Sequence, residues 1–171
     1  YKVTGVQTCA LPISTCDDWV VTGSADGTAR VWDSTLLKWT TGVVLKGHEG
    51  GISSIAIRKD AEKWIVATAS WDRTVRGWDL QSGECLWCLE GHDDNVTSVS
   101  FCVSMTGEEP TPPDALLLAT GSLDNTVRLW TIDGGSTTKC VSVLKEHDRK
   151  VLTVAFAVPR SGDVRSPPLL T

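Results

Sequence analysis

The chain has 171 residues, of which 41% are hydrophobic and 22% are charged, the ordinary balance of a globular protein. Its formal net charge of −5 at pH 7 argues against a generic binder of nucleic acid or of anionic membranes. The sequence also lacks an apolar run of the roughly 18 residues that a membrane-spanning helix needs.

The first residues differ in character from the rest of the chain. Residues 3–13 read VTGVQTCALPI, which resembles the in-frame translation of a sequencing-library adapter. We therefore expect residues 1–13 to be an artefactual leader and leave them out of the fold prediction. The alternative is a natural strand that happens to contain a Cys and a Pro.

One sequence motif then occurs three times. It reads GSADGTARVWD at residues 23–33, ASWDRTVRGWD at residues 69–79 and GSLDNTVRLWT at residues 121–131. The Trp residues of successive copies are 46 and 52 residues apart. A period of this length is typical of repeat architectures, in which each repeat forms one supersecondary unit.

Each repeat contains four predicted strands. The chain has three His residues, His48, His92 and His147. Apolar residues alternate from the seventh position after each of them, and this period of two indicates a first strand. These residues are Ile55 and Ile57, Val99 and Phe101, and Val154 and Phe156. Second strands are predicted at residues 19–21, 64–66 and 116–118, third strands at each Thr-x-Arg-x-Trp, and fourth strands at residues 43–45, 85–89 and 140–144. The Asp-containing segments between second and third strands favour tight hairpin turns, and no segment has a helical period.

The recurring motif resembles the WD-repeat propeller family over nearly the whole chain from Asp18 onward. The resemblance implies an all-β fold, a β-propeller in which each repeat supplies about one four-stranded blade. We expect a fragment with two complete repeats between two partial ones, at residues 14–46, 47–90, 91–145 with a long loop at 103–114, and 146–171. Residues 14–171 alone are expected to be poorly soluble, because an open stack of sheets leaves apolar faces exposed.

The same resemblance implies a hydrogen-bonded chain of a His, a Ser, an Asp and a Trp within each sheet. The complete sets are His48, Ser70, Asp72 and Trp78, and His92, Ser122, Asp124 and Trp130. The partial sets are Ser24, Asp26 and Trp32, which lack a His, and His147, which begins a further set. Such groups satisfy one another where an unpaired polar group would be costly.

Ser, His and Asp are also the residue types of a hydrolase triad. A triad is recognised by its geometry, and it needs an exposed nucleophile beside an oxyanion hole. Here the set recurs in each repeat, whereas an enzyme needs one site, and no nucleophile elbow or phosphate-binding Gly loop accompanies it. We therefore expect no catalysis and no cofactor.

Partner binding is expected in the loops. In the family that the chain resembles, partners commonly bind where the turn before the third strand meets the segment after the His. Trp71 and Leu123 occupy this turn, and an exposed indole is a frequent interface anchor. The alternative is that Trp71 packs over a neighbouring loop. Asp93 and Asp94 are candidates to attract a basic protein or peptide, or are only solvated.

The expected function is a non-catalytic scaffold for protein–protein interaction and complex assembly. The alternative is the partner-selecting regulatory propeller of a larger signalling protein, NTPase or ubiquitin-ligase adaptor. No nucleic acid or membrane partner is expected.

Six cysteines are present, of which Cys9 lies in the leader. The other five are scattered and odd in number, which is a poor disulfide framework. Cys85 and Cys88 form a Cys-x-x-Cys, but a spacing of three on a strand places the side chains on opposite faces, and no second pair completes a zinc site. We expect no metal site and reduced thiols, typical of a cytoplasmic or nuclear protein.

Overall fold

The computed structural model describes residues 13–16, 19–33, 40–60, 63–102, 115–133 and 137–156. The predicted leader up to residue 12, the long loop at residues 103–114 and everything from residue 157 onward lie outside these ranges. Within them the chain forms strands and no helix, which confirms the all-β prediction. No helix in this part of the chain is therefore long and apolar enough to span a membrane.

The strands form three antiparallel sheets of four strands each, in chain order. The first sheet contains β1 (Ile13–Cys16), β2 (Trp19–Gly23), β3 (Ala29–Asp33) and β4 (Thr40–Leu45). The second contains β5 (Ile52–Asp60), β6 (Lys63–Ser70), β7 (Val75–Asp79) and β8 (Cys85–Leu89). The third contains β9 (Val96–Phe101), β10 (Ala115–Ser122), β11 (Val127–Asp133) and β12 (Thr137–Leu144). Every strand pairs with its neighbour in sequence, so each sheet is built from local connections.

The two ends of the strand prediction differ from the structure. The prediction contains no strand at β1, yet Ile13, which it assigns to the leader, pairs with Thr22 of β2. Val154 and Phe156 were predicted in a strand, but residues 145–156 form none. The amide of Val154 donates to the Ser98 hydroxyl at 3.1 Å. A strand is defined by hydrogen bonds between backbone groups, and this bond goes to a side chain.

Two apolar cores separate the three sheets. Strand β6 contributes to both, because alternate side chains of a strand point to opposite faces. Val66 enters the core shared with the first sheet, where it meets Val21 and Val31. Ile65 and Ala67 enter the core shared with the third sheet. Burial on both faces explains why this strand is a continuous apolar run rather than an alternating one.

The last strand of each sheet, which we call its outer strand, contains one β-bulge beside the repeated Trp. The unpaired residues are Gly42, Leu86 and Val141. In the second sheet Trp78 pairs with Cys85 and Gly77 pairs with Trp87, so Leu86 is the extra residue.

The bulge in β8 changes which face each side chain takes. Leu86 and Trp87 are consecutive, yet both pack into the core shared with the third sheet. The residues on either side of them, Cys85 and Cys88, lie opposite Trp78 and Arg76, which are two residues apart and share a face. Cys85 and Cys88 therefore lie on the same face. The prediction of opposite faces is wrong, because it assumed an uninterrupted period of two.

Candidate functional site

A chain of hydrogen bonds joins the polar groups of the second sheet. His48 Nδ1 lies 2.7 Å from Asp72 Oδ2, and its Nε2 lies 2.8 Å from Thr68 Oγ1. The indole N–H of Trp78 donates to the same Thr68 oxygen at 2.8 Å. A carboxylate can only accept, so Nδ1 carries the imidazole proton and Nε2 of the neutral ring accepts the Thr68 hydroxyl proton. Every polar atom of both rings is thereby satisfied.

The third sheet repeats this arrangement with nearly the same distances. His92 Nδ1 lies 2.7 Å from Asp124 Oδ2, and Nε2 lies 2.8 Å from Thr120 Oγ1. The Trp130 indole donates to Thr120 Oγ1 at 2.9 Å. In the first sheet the indole of Trp32 donates to Thr22 Oγ1 at 2.9 Å. The indole-to-threonine bond is therefore common to all three sheets.

The sequence prediction is wrong about which hydroxyl group takes part in this chain of hydrogen bonds. It belongs to Thr68, whereas the prediction chose Ser70. Ser70 Oγ instead donates to the Gly50 carbonyl at 3.0 Å and accepts the Asp72 amide at 3.1 Å. The reason is the register: Trp78 pairs with Val66, so its indole reaches the diagonal neighbour Thr68 and not the more distant Ser70.

The other predicted serines also lie outside the indole-to-imidazole chain. Ser122 Oγ donates to the Asp94 carbonyl at 3.0 Å and accepts the Asp124 amide at 3.1 Å. Ser24 Oγ accepts the Asp26 amide at 3.2 Å. In each hairpin the Ser holds the turn rather than the buried rings.

The turn aspartates are held ionised by hydrogen bonds. Asp124 Oδ1 accepts the amide of Thr126 at 2.9 Å and its hydroxyl at 2.6 Å. Burial of Asp124 acts to raise its pKa, but the hydrogen bonds from Thr126 and His92 outweigh burial and lower the pKa to about 2. The pKa of Asp72 is lowered in the same balance, by Thr74 and His48 against burial.

The imidazoles stay neutral for the opposite reason. Burial lowers the pKa of His48 and of His92 below the ordinary value, and the adjacent carboxylates only partly compensate. A neutral ring matches the donor at Nδ1 and the acceptor at Nε2 that the geometry requires. For His147, the described residues show no hydrogen bond to an Asp or a Thr.

The hairpin turns and the segments that follow each His meet at one surface, which we name the turn face. It comprises residues 24–28, 49–51, 70–74, 93–95, 122–126 and 148–150. Backbone bonds fix it: the Trp71 amide donates to the Gly51 carbonyl and the Leu123 amide to the Asn95 carbonyl, each at 2.9 Å. At Gly27, with φ +78°, a Cβ would lie 3.0 Å from the His48 carbonyl oxygen. The turn face is therefore a closely packed platform.

Trp71 lies on this platform with 44% of its surface exposed. Its indole lies over Gly51, where a Cβ would come within 2.9 Å of Cε3 of the ring and 3.1 Å of the Ala25 Cα. The indole thus packs beside the neighbouring turn and still presents apolar surface to solvent, so both interpretations of Trp71 describe part of its surroundings. The Gly50-Gly51 pair, which stands where the next repeat has Asp94-Asn95, is the sequence signal for this packing.

The other candidate residues lie on the same face. Leu123 is half-buried beside the Asn95 loop. Asp93 is exposed, and its amide donates to Asp124 Oδ2 at 3.0 Å. Asp94 is half-buried, and its Oδ1 accepts the Asn95 amide at 2.7 Å. The structure therefore brings Trp71, Leu123, Asp93 and Asp94 onto one surface.

Comparison with known proteins agrees with this geometry. The family described as "WD domain, G-beta repeat" matches residues 2–33, 39–79 and 83–131. The chain is 31% identical over 149 residues to "Probable cytosolic iron-sulfur protein assembly protein 1" of Neurospora crassa, covering 73% of this chain and 31% of that protein. It is 30% identical over 126 residues to "Ribosome biogenesis protein WDR12 homolog" of Nematostella vectensis, covering 69% of this chain and 26% of that protein.

Among solved structures, the chain is similar to the computationally designed Ika8 protein. The TM-score is 0.66 at 26% sequence identity, over 87% of this chain and 41% of that one. The chain spans about a third or less of the curated relatives it matches. The family match extends over most of the chain. Its second and third segments contain the two complete polar networks, and each begins with the last strand of the preceding sheet. The chain belongs to the WD-repeat family.

Proposed function

We propose that this chain is part of a non-catalytic scaffold that binds protein partners on its turn face and assembles them into complexes. The observation that carries the proposal is the Trp71 indole, which is partly exposed on a platform fixed by backbone hydrogen bonds. A rigid aromatic side chain loses little conformational freedom on binding, which is why such residues anchor interfaces.

The charges of the turn face support a basic partner. Its acidic residues outnumber its cations: they are Asp26, Glu49, Asp72, Asp93, Asp94, Asp124 and Asp148, against Arg73, Arg149 and Lys150 within its described ranges. A negative surface attracts Lys- or Arg-bearing segments and repels phosphate, so a protein or peptide is favoured over nucleic acid.

The names of two relatives support assembly as the role. One relative is named for iron-sulfur protein assembly and another for ribosome biogenesis, and both processes bring several components together. By the same route we propose a cytoplasmic or nuclear location for this chain.

The hydrogen bonds that the His and Ser side chains already make support a non-catalytic role. Both ring nitrogens of His48 are occupied, by Asp72 and Thr68. The Ser70 hydroxyl is bound to backbone groups. A triad requires a Ser–His hydrogen bond that leaves the nucleophile free to attack, and neither complete repeat has one.

The experiment that tests the proposal compares two variants of the immobilised chain. Trp71→Ala removes the anchor, and Val143→Ala removes a similarly exposed apolar side chain from β12, away from the turn face. Proteins retained from a cell extract are quantified by mass spectrometry. We expect partners whose retention falls at least tenfold with Trp71→Ala and is unchanged with Val143→Ala. If both variants retain the same set as the parent, the turn face is not the binding surface.

A second comparison tests the charge of the partner. Asp93→Asn combined with Asp94→Asn keeps the size of both side chains and removes two charges. For the partners that depend on Trp71, we expect weaker retention with this variant and a weaker dependence of binding on salt concentration. If retention changes neither with this variant nor with the salt concentration, the interface is apolar and the proposal of a basic partner is wrong.

A further inference from the structure

The Cys85 and Cys88 thiols form a pair that the fold places together and that the turn-face proposal does not use. The bulge at Leu86 puts both on the face of β8 that carries the partners of Trp78 and Arg76. Alternate residues of a strand are about 6.8 Å apart, so the two Cβ atoms lie at about that spacing. Cys85 is exposed and Cys88 half-buried, which leaves the pair open to solvent on one side.

The sulfur of Cys85 lies beside the peptide bond that leads into Cys88. Its thiol donates to the carbonyl oxygen of Trp87 at 3.5 Å, and that carbonyl belongs to the peptide bond leading into Cys88. The Cys85 sulfur therefore lies near the backbone of Cys88, on the face that the two side chains share.

The spacing discriminates between a disulfide and a bridged pair. A disulfide needs Cβ atoms about 3.5–4.5 Å apart, so a direct S–S bond requires backbone movement. A metal ion bound to both sulfurs at about 2.3 Å each separates them by about 4.6 Å, which suits Cβ atoms that are further apart. No group of three or more His, Cys, Asp or Glu side chains in the described ranges could hold a metal, which disfavours tetrahedral zinc at this pair.

We propose that Cys85 and Cys88 form a two-coordinate binding site for a soft monovalent metal ion of the copper(I) class. Soft thiolate ligands select copper(I) over harder ions. Binding breaks two S–H bonds and forms two S–Cu bonds, the two protons pass to solvent, and the copper stays in its +1 state. The site does not depend on the proposed scaffold function.

Arg76 completes the charge balance. Two thiolates and one monovalent ion carry a net charge of −1, and Arg76 lies directly opposite Cys88 in the ladder. The guanidinium therefore offsets the negative charge of the metal-bound pair.

The test is an anaerobic titration of the full chain with copper(I) in competition with a chromogenic chelator. We expect one tightly bound ion. Cys85→Ser or Cys88→Ser should weaken its binding by at least 30-fold, because one thiolate remains. Cys140→Ser is the matched control, since Cys140 occupies the position of Cys85 in the third sheet and has Val143 where the second sheet has Cys88. The proposal is overturned if Cys88→Ser leaves the affinity unchanged, or if Cys140→Ser weakens it equally.

A gain-of-site variant makes the test independent of any folding defect in the cysteine variants. The third sheet has the same bulge, at Val141, and Val143 lies opposite Arg128. Val143→Cys should therefore create a second pair with Cys140 and raise the number of tightly bound copper(I) ions by one. Val143→Ser is the control and should add none. If Val143→Cys also adds none, the bulge geometry does not form a metal site, and the proposal fails.

Discussion

The Thr68 hydroxyl holds two buried rings at once, which makes it the central atom of the polar network. It accepts the Trp78 indole N–H and faces Nε2 of His48, both at 2.8 Å. A buried polar group left without a partner costs about 1–3 kcal/mol, and removing this one hydroxyl would leave two such groups. Thr68 itself is fully buried, so water cannot replace it.

Thr68→Val is therefore expected to destabilise the fold by on the order of 2–4 kcal/mol, although valine has nearly the same shape as threonine. The free energy of unfolding is measured from urea-induced loss of Trp fluorescence. Thr131→Val is the control, because Thr131 has no side-chain hydrogen bond among the described residues. Equal effects from the two substitutions would show that the Thr68 bonds contribute nothing to stability.

The neutral histidines predict a pH dependence of stability. The pKa of His48 and of His92 is lowered in the folded chain, so between that value and the unfolded pKa of about 6.5 the unfolded chain binds more protons. Stability is therefore fully present above about pH 6.5 and decreases as the pH falls below it. Urea unfolding at pH 7.5 and 5.5 measures the difference.

His48→Gln combined with His92→Gln is the control for this pH dependence. The double variant is expected to be less stable than the parent at pH 7.5 and to change less between the two pH values. Asp124, with a pKa of about 2, stays ionised at both. A parent that is equally stable at pH 5.5 and 7.5 would contradict the assignment of neutral rings.

For single residues, the sequence predicts which side chains belong to the polar network better than it predicts the hydrogen bonds that they make. The positions of His48, Asp72 and Trp78 follow from the recurring motif, and these residues do meet in the structure. The choice between Thr68 and Ser70 does not follow, because both are hydroxyl residues on the same face of one strand. Only the register of β6 against β7 decides which of them the indole reaches.

Between strands, Gly77 and Trp87 form a small-to-large pair. They are ladder partners, and a Cβ at Gly77 would collide with the Trp87 ring. The first sheet has Val31 opposite Val43 at the equivalent place. The Trp87 indole thus occupies the space that a side chain at Gly77 would fill. The Gly77–Trp87 pair contributes about the volume that the Val31–Val43 pair contributes in the first sheet.

Gly77→Val is expected to destabilise the chain strongly, because a rigid indole cannot move aside as a flexible side chain could. Trp87→Val alone leaves a cavity and is also destabilising, by about 3 kcal/mol or more. The double variant restores the pairing of the first sheet, so its loss should be smaller than the sum of the single losses by at least about 1 kcal/mol. Urea unfolding of the four proteins measures the coupling, and strictly additive losses would show that the two residues do not act as a pair.

Most strands were predictable from apolar alternation, apolar runs and the recurring motif, whereas the bulges were not. Leu86 looks like any other apolar residue in CLWCL, and nothing in its type indicates that it is unpaired. Its effect is local but decisive, because it moves Cys85 and Cys88 from opposite faces to one face. Sequence periodicity assumes a regular ladder, and a bulge breaks that assumption without a compositional signal.

Across the whole molecule, hydroxyl groups on the first strand of a sheet bind the chain that follows. Thr97 Oγ1 donates to the Gly121 carbonyl at 3.0 Å within the third sheet and lies 2.7 Å from the Val151 carbonyl beyond it. Ser53 makes the equivalent contacts to Ala69 and to Val96 of the third sheet. Contact with the following segment is therefore polar at Ser53 and Thr97, and it is apolar in the cores between the sheets.

The third sheet and the segment after it expose several large apolar side chains. Val141 is 47% exposed, Val143 is 37% exposed and Leu152 is 71% exposed. Apolar residues along an outer strand with free backbone groups favour pairing with another molecule. We expect the purified chain to self-associate as its concentration rises, which sedimentation velocity measures.

Val141→Lys combined with Val143→Lys should shift the chain toward monomer, because a charged outer strand resists pairing with another strand. Gln81→Lys combined with Ser82→Lys adds the same two charges to the exposed β7–β8 turn and is the matched control. If the control reduces self-association as much as the β12 variant does, general charge repulsion is the cause. An effect confined to the β12 variant would identify the outer strand of the third sheet as the surface through which copies of this chain associate.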